Sequence, residues 1–419
     1  MRLLFVAHGH PAFHPGGGEL VAYSLYQALR QAGQDVFYIG VVYPELLPDT
    51  ATWDTLALDP QDPNDLALRG GAFDFFTGRG DPRVLETLGR LFERIDPDLI
   101  HFHHFVMVGI EAFRMARNRC PSCKTVLTLH EYWAICPLNG QMVRADGNLC
   151  DQASLHQCAR CRPDRSFDQF FLREQWFKRF FASLDRLVCP SQFLRERFRA
   201  WGLPPEKLTH IANGIAIQEA NRPFFADQAM THAQHRRFGF FGQLTPFKGV
   251  ELLLQAGQAL NEQGVEFELG IHGTLNLQAA ERQTQLQAAF TTAKAYAHWF
   301  GAYPPSETQT LMASYDWIII PSTWWENAPL VVEEALAARK PILCSDIGGL
   351  REKVVDGRDG LHFRTNDSFS LAQVMARAAT DAELWEGLHG TLRPPTALTD
   401  CLAEHLALYR SLIEGNVAR

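Results

Sequence analysis

Two glutamates with seven residues between them, Glu326 and Glu334, are the first residues in this chain whose type and spacing suggest chemistry. An ionised carboxylate only accepts hydrogen bonds, so a pair of them suits a ligand rich in hydroxyl donors, such as a sugar or a ribose. The plain alternative is two solvated glutamates, since this residue type usually lies at the surface. Lys248 offers a compact positive charge suited to a diphosphate, or else an ordinary surface lysine. His130 ends an apolar run, TVLTLH, ahead of an aromatic loop, where an imidazole either serves a site or is held structurally. Cys136, Cys150, Cys158 and Cys161 follow the pattern C-x13-C-x7-C-x2-C, with Cys120 and Cys123 upstream. Four thiolates including a C-x2-C pair suit a closed tetrahedral structural zinc, which leaves no open catalytic position. Free buried thiols and oxidised pairs remain as alternatives.

The elements around these residues read as alternating strands and helices. Trp317 to Ile320 is a short buried strand that stops at Pro321 and Ser322. Pro329 suits a first helical turn with Asn327 as its cap, and Leu330, Val331, Glu334, Ala335 and Ala338 continue at helical spacing to Arg339. Pro341 stops that helix, Ile342 to Ser345 is another strand, and Gly348–Gly349 turns the chain toward Leu350. Such a unit predicts a right-handed crossover, with ligands beyond the carboxyl ends of the strands. One helix step turns Glu333 ~100° from Glu334, so Glu333 is expected to be silent on substitution.

The same alternation starts at MRLLFVA, a first buried strand. A Gly16–Gly17–Gly18 turn follows, then a helix stopping near Gly33 and a strand over Val36 to Val42. Backbone N–H groups of Gly17 and Gly18 at a helix start suit an anion, without the GxGxxG of a nicotinamide site. Residues 44 to 82 read as loop with short elements. Leu99 to Phe105 is a strand carrying His101, His103 and His104, which read as core or cleft-lining groups. Asp96–Pro97–Asp98 reads as the turn before it rather than a metal motif. Phe238 to Phe241 and Phe267 to Ile271 are strands, the latter ending at His272–Gly273. The fold class is α/β, with two Rossmann-like doubly wound parallel-sheet domains.

Composition bounds the rest. The 419 residues fill two domains of ordinary size, with 46% hydrophobic and 21% charged residues. A net charge of -8 argues against nucleic acid as partner. No apolar run reaches a membrane span, and the N-terminus does not read as a signal peptide, so a cytoplasmic location is expected, with membrane association on the cytoplasmic face as an addition. Nine cysteines without a secretory signal argue against a disulfide framework. A helix from Phe167 to Leu184, opened by a Ser166/Gln169 capping box, carries seven aromatic or aliphatic residues on a broad face flanked by Arg173, Lys178 and Arg179. It reads first as core and second as a peripheral membrane contact.

The stretch PSTWWENAPLVVEEALA, continued by KPILCSDIGG and VVDGRDGLHF, resembles the signature of retaining glycosyltransferases of the GT-B fold, family 4 (glycosyl transferases group 1). The resemblance implies two Rossmann-like domains facing a central cleft. They are an N-terminal acceptor-side domain, 1–215, with a Cys-rich insertion at about 136–161, and a nucleotide-sugar-binding domain, 236–395. Residues 216–235 are the linker, and 396–419 form a helix returning to the first domain. It further implies a nucleotide diphosphate-sugar donor, a glycan or lipid-linked acceptor, and no cofactor required for chemistry. Glu334 would hold the donor ribose, and Glu326 and His130 would serve the donor sugar. Asn327, Ala328, Pro329 and Leu330 would line the pocket, with Gly17, Gly18 and Gly273 facing the donor. Tyr303, in the turn WFGAY, would read the base through its backbone, and Lys248 would meet the diphosphate. The chain departs from the pattern at Gln243, where the family carries an arginine that shares this task. Arg351 or a helix N-terminus would have to supply the missing charge. Two other readings stay open: an epimerase or phosphorylase on the same fold, and a non-catalytic nucleotide-sugar-binding subunit.

Overall fold

The computed structural model describes residues 1–47, 54–217, 235–275 and 278–415. The chain separates into two units, Met1–Gly214 with Ala397–Arg419, and Ile215–Thr396. Most of the linker expected at 216–235 lies outside the described residues.

Unit 1 is built on β1 (Arg2–Ala7), β2 (Asp35–Val42), β3 (Thr55–Asp59), β4 (Asp62–Arg69), β5 (Leu99–His103), β6 (Lys124–Thr128), β7 (Arg186–Cys189) and β8 (Leu208–His210). Among the described residues these form one sheet in the order β3-β4-β2-β1-β5-β6-β7-β8. Every neighbouring pair runs parallel except β3 with β4. Strands covered on both faces need apolar residues on both, and Leu3 to Ala7 are wholly buried.

Residues 44–82, expected as loop, contain the β3–β4 hairpin, and β4 adds a parallel strand to the sheet. The acidic sequence DPNDLALR hid this strand. Asp62 and Asp65 are buried because the Tyr26 and Tyr23 hydroxyls donate to them at 2.7 and 2.8 Å. Arg30 pairs with Asp62 at 2.7 Å. Buried carboxylates satisfied in this way are compatible with a strand interior.

Helix Gly17–Gln31 lies against the sheet, and the last helix, Leu398–Glu414, packs against it within the same unit. Tyr409 of that last helix is fully buried and joins the core of Leu3, Phe5, Leu25 and Val36.

Unit 2 carries β9 (Arg237–Phe241), β10 (Glu268–His272), β11 (Ala297–Gly301), β12 (Trp317–Ile320), β13 (Ile342–Ser345) and β14 (Gly360–Phe363). Among the described residues their order is β11-β10-β9-β12-β13-β14, all parallel. Two local expectations around β12 and β13 fail. Helix Leu330–Ala337 starts after Pro329, whose φ of -67° and ψ of 124° place it at the cap, so Asn327 is not the capping residue. Gly348 and Gly349 do not form a simple turn but open a short helix, Gly348–Lys353. The missing side chain of Gly349 serves close approach instead: a Cβ there would overlap the Asn327 carbonyl oxygen.

Candidate functional site

In unit 2 the parallel strands bring their carboxyl ends to one edge of the sheet. The loops leaving β9, β10, β11 and β12 carry Gln243 and Lys248, Gly273, Tyr303, and Glu326 with Asn327 to Leu330. Lys248 closes a short 3-10 turn, Pro246–Lys248, seated on the loop after β12. The Phe247 carbonyl accepts the Thr323 N–H at 2.9 Å, and Gly249, at φ 75°, lies so close to Pro321 that a Cβ would overlap its carbonyl oxygen. The backbone therefore sets the meeting of Lys248 with Glu326. The ammonium lies 2.6 Å from Glu326 Oε1, which also accepts the Ser322 hydroxyl at 2.6 Å. Glu326 is buried. Burial opposes its charge, but Lys248, by charge and hydrogen bond, and Ser322 outweigh it and hold the carboxyl below its ordinary range. The Gly349 N–H donates to the Glu326 carbonyl at 2.7 Å, fixing the loop from the other side.

Glu334 stands half-buried on the following helix. Burial pushes its carboxyl up to about 7. Tyr303 is near enough that burial first, and then the Glu334 charge, raise its phenol. The two residues expected to meet ribose and base are thus electrostatic neighbours. Gly273 fits only as glycine, since a Cβ there would overlap the Gly242 carbonyl oxygen. Gln243 is half-buried beside these groups in sequence, and Arg351 is engaged with Asp346 at 3.2 Å.

His272 was not singled out by sequence reasoning. It stacks between Phe241 and Phe300, with ring centroids 4.6 and 4.8 Å away, and its Nε2 is 2.7 Å from the Tyr315 hydroxyl. Burial lowers its pKa to about 4, so it is a neutral ring at the end of β10. Its position before Gly273 was the available signal.

Glu333 overturns the expectation of a silent neighbour. It is buried, its two oxygens accept Arg393 Nη2 and Nη1 at 2.9 and 3.0 Å, and the Thr396 N–H donates to it at 2.8 Å. Lys353 stands 3.7 Å away. The ~100° step from Glu334 points inward rather than to solvent, because the far side of this helix packs on residues 393–396.

In unit 1 the glycine turn meets His130. A Cβ on Gly18 would sit 3.1 Å from His8 Cε1 and 3.7 Å from His130 Cγ, whereas around Gly17 the space is open. Glu19, buried one residue on, lies 3.3 Å from His8 Nε2. His130 Nε2 lies 3.3 Å from His103 Nδ1. Burial, then the neighbouring His8, lowers the pKa of His130 to about 3. His101 is core: its ring nitrogens meet the Tyr409 hydroxyl at 2.6 Å and the Thr128 hydroxyl at 2.7 Å. His104 pairs with Glu131 at 3.0 Å.

The four cysteines of the insertion come into one neighbourhood. Burial first, and then the neighbouring Cys136, Cys150 and Cys161, raise the Cys158 thiol to about 11 against a backbone hydrogen bond at Ser154. None of the four is joined in a disulfide, and among the described residues no group of three or more His, Cys, Asp or Glu is arranged to hold a metal ion. The expected zinc site is therefore not formed as such. What staples the loop is Arg173, buried on helix Phe167–Ala182. It donates to the carbonyls of Phe76 at 2.7 Å and Ala134 at 2.6 Å, and to that of Trp133. The capping box of Ser166 and Gln169 is present. Phe170, Phe177, Phe180 and Phe181 of this helix are buried, and Phe167, Phe171 and Leu172 are exposed. Phe177 is thus core and no part of a membrane-facing edge. Among the described residues no helix is long and apolar enough to cross a membrane.

Residues 15–219 match the family described as Glycosyltransferase Family 4, and residues 225–388 the family described as Glycosyl transferases group 1. Over 206 residues the chain is 28% identical to a lipopolysaccharide 1,2-N-acetylglucosaminetransferase of Salmonella typhimurium, covering 47% of this chain and 54% of that protein. It is 29% identical over 194 residues to a GDP-mannose-dependent alpha-mannosyltransferase of Mycobacterium tuberculosis, covering 44% and 46%. The chain thus spans about half the length of these relatives. Among solved structures, Anabaena HepE in complex with UDP and glucose superposes with a TM-score of 0.69 at 17% identity, covering 98% of this chain and 100% of that one. Sucrose-phosphate synthase from Thermosynechococcus elongatus does so with a TM-score of 0.74 at 17% identity, covering 99% and 100%. With two parallel-sheet units of this architecture, and with both adjoining family matches in sequence order, the chain belongs to the group 1, family 4 glycosyltransferases of the GT-B fold.

Proposed function

We propose that the protein transfers a sugar from a nucleotide diphosphate-sugar to an acceptor hydroxyl, with retention at the anomeric carbon, in the assembly of a glycan. The bond from C1 to the diphosphate oxygen breaks, the bond from C1 to the acceptor oxygen forms, and the acceptor proton goes to the departing diphosphate. The observation that carries this reading is Glu334. Its half-buried carboxyl, raised to about 7 by burial, lies beside Tyr303 at the carboxyl edge of the unit 2 sheet. Ribose hydroxyls donating to that carboxylate would offset its desolvation. Lys248 would meet the diphosphate, Glu326 the sugar, and His130, on unit 1, a sugar hydroxyl. The Salmonella relative's name places it in lipopolysaccharide synthesis, which supports a glycan acceptor here.

A thermal-shift panel of UDP-, GDP- and ADP-sugars tests the first half, because a bound donor raises the melting temperature by mass action. Anomeric analysis of the product made with the stabilising donor tests retention. No shift with any donor, or an inverted product, would sink the reading. A second reading, a binding subunit without turnover, is favoured by Gln243, which supplies no charge where the family pattern has arginine. It predicts a donor-induced shift with no transfer to any acceptor.

A further inference from the structure

Lys248 is the residue proposed to meet the diphosphate, yet its charge is already taken. Its ammonium is 2.6 Å from Glu326 Oε1, within a pair whose side chains are 29% and 5% exposed. The contact is built by backbone rather than by a wandering lysine, since the turn that carries Lys248 is fastened to the loop that carries Glu326 at Thr323 and Pro321. Beside the pair stands Trp324. Its ring centroid is 5.7 Å from the ammonium, and its side chain, like that of Ser322, helps hold the Glu326 carboxyl in its charged form. The local arrangement is therefore one cation and one anion, flanked by an indole, at the edge of the sheet where ligands of such folds sit.

We infer that Glu326 acts as a counter-charge that weakens the hold of Lys248 on the nucleoside diphosphate product, so that the same carboxylate that serves the sugar also speeds product release. This rests on the proposed function. The donor's diphosphate is esterified at both ends. Once the bond to C1 breaks and the proton received from the acceptor has passed on to water, the product diphosphate carries an additional negative charge. A fixed carboxylate 2.6 Å from the only cation the family pattern retains here opposes that additional charge more than it opposes the donor. Gln243 fits the same logic. With no arginine in that place, the product is held by one cation that is itself half neutralised, so its affinity is set by the Lys248–Glu326 balance.

Calorimetric titration with UDP, GDP and ADP, and with the matching nucleosides, tests this in the wild type, Glu326→Gln, Lys248→Met and the double variant. Glu326→Gln keeps the shape and removes the charge. It should bind the preferred diphosphate about tenfold more tightly, a figure that allows for screening of the partly exposed lysine, while the nucleoside affinity stays unchanged. In the Lys248→Met background the tightening should shrink, because a good part of the effect runs through that ammonium. If Glu326→Gln lowers the melting temperature, Glu326→Ala is the second neutral variant and must tighten as well. Wild type that binds a diphosphate while neither neutral variant binds it more tightly overturns this inference alone. Wild type that binds none of the three diphosphates overturns the proposed function, and this inference with it. Loss of turnover in Glu326→Gln combined with tighter product binding is the outcome that supports it.

Discussion

Glu333 and Glu334 are consecutive on one short helix, yet their carboxylates have opposite electrostatic surroundings. Glu333 is held by Arg393, Lys353 and the Thr396 N–H, and although burial opposes its charge these partners lower its pKa. Removing one partner of such a pair leaves an uncompensated charge, so Glu333→Gln is expected to cost about 3 kcal/mol in chemical denaturation, at the lower end for buried pairs because Arg393 is partly exposed. A cost under a few tenths would refute it. Glu334 is the reverse case. Its folded-state pKa of about 7 lies above the unfolded value of about 4.3, so the folded state binds this proton more tightly. The associated stability is fully present below the unfolded value and is lost as pH rises through about 7. Glu334→Gln should therefore raise the melting temperature of the donor-free protein at pH 8 and change it little at pH 4. Equal shifts at both would refute the sign. In the presence of donor the same variant should raise KM more than it lowers kcat, because ribose contacts are similar in ground and transition states. The register that separates these two glutamates was legible in sequence, and so was the loop that carries Glu326. The inward partner of Glu333 was not, because Arg393 lies 60 residues away and no local pattern announces it.

At the scale of elements, helix Phe167–Ala182 shows where pattern reading stops. Its aromatic residues were legible as one broad face, but that face divides into a buried part and an exposed edge. Phe177 packs against Phe105 and under the Arg173 guanidinium, at 5.2 and 4.5 Å between centres. Phe177→Glu should therefore unfold unit 1 or lower its melting temperature sharply, since it removes a fully buried ring and buries a carboxyl whose one nearby cation, Arg173, is already committed to three backbone carbonyls. Phe171→Glu, on the exposed edge, should leave the melting temperature nearly unchanged. If that edge touches lipid, Phe171→Glu also lowers co-sedimentation with anionic liposomes, and an unchanged sedimented fraction would remove the membrane reading. The β3–β4 hairpin failed for a related reason. A strand whose buried positions begin with Asp62 and Asp65 has little apolar alternation, and partners distant in sequence, Tyr26 and Arg30 for Asp62 and Tyr23 and His10 for Asp65, satisfy those carboxylates. The parallel strands β1, β2, β9, β10, β12 and β13, by contrast, were readable to within a residue, because burial on both faces demands continuous apolar runs.

At the scale of the molecule, unit 1 is closed by residues from both ends of the chain. Tyr409 supplies a hydroxyl 2.6 Å from His101 Nδ1 in a fully buried place. Tyr409→Phe should lower the stability of unit 1 by about 1–3 kcal/mol, as a buried imidazole nitrogen loses its partner. The measurement is a denaturant titration followed by probes in each unit, in which the unit 1 transition moves earlier and that of unit 2 stays in place. A shift of both transitions, or of neither, would count against it. The division of the chain into two parallel-sheet units was legible from alternating strands and helices. The bond between residues 308 positions apart was not, since nothing in the last helix's periodicity says which strand receives it.

That closure has a consequence for synthesis. While a ribosome makes residues 215–396, everything needed for the sheet of unit 1 is already outside, but the helix that covers Leu25, Leu29 and His101 has not been made. At roughly 5–20 residues per second, the wait is on the order of 10–40 seconds. Through that interval the nascent chain presents an uncovered apolar groove, a target for holding chaperones, and a stall or premature stop within unit 2 would release a product prone to aggregate.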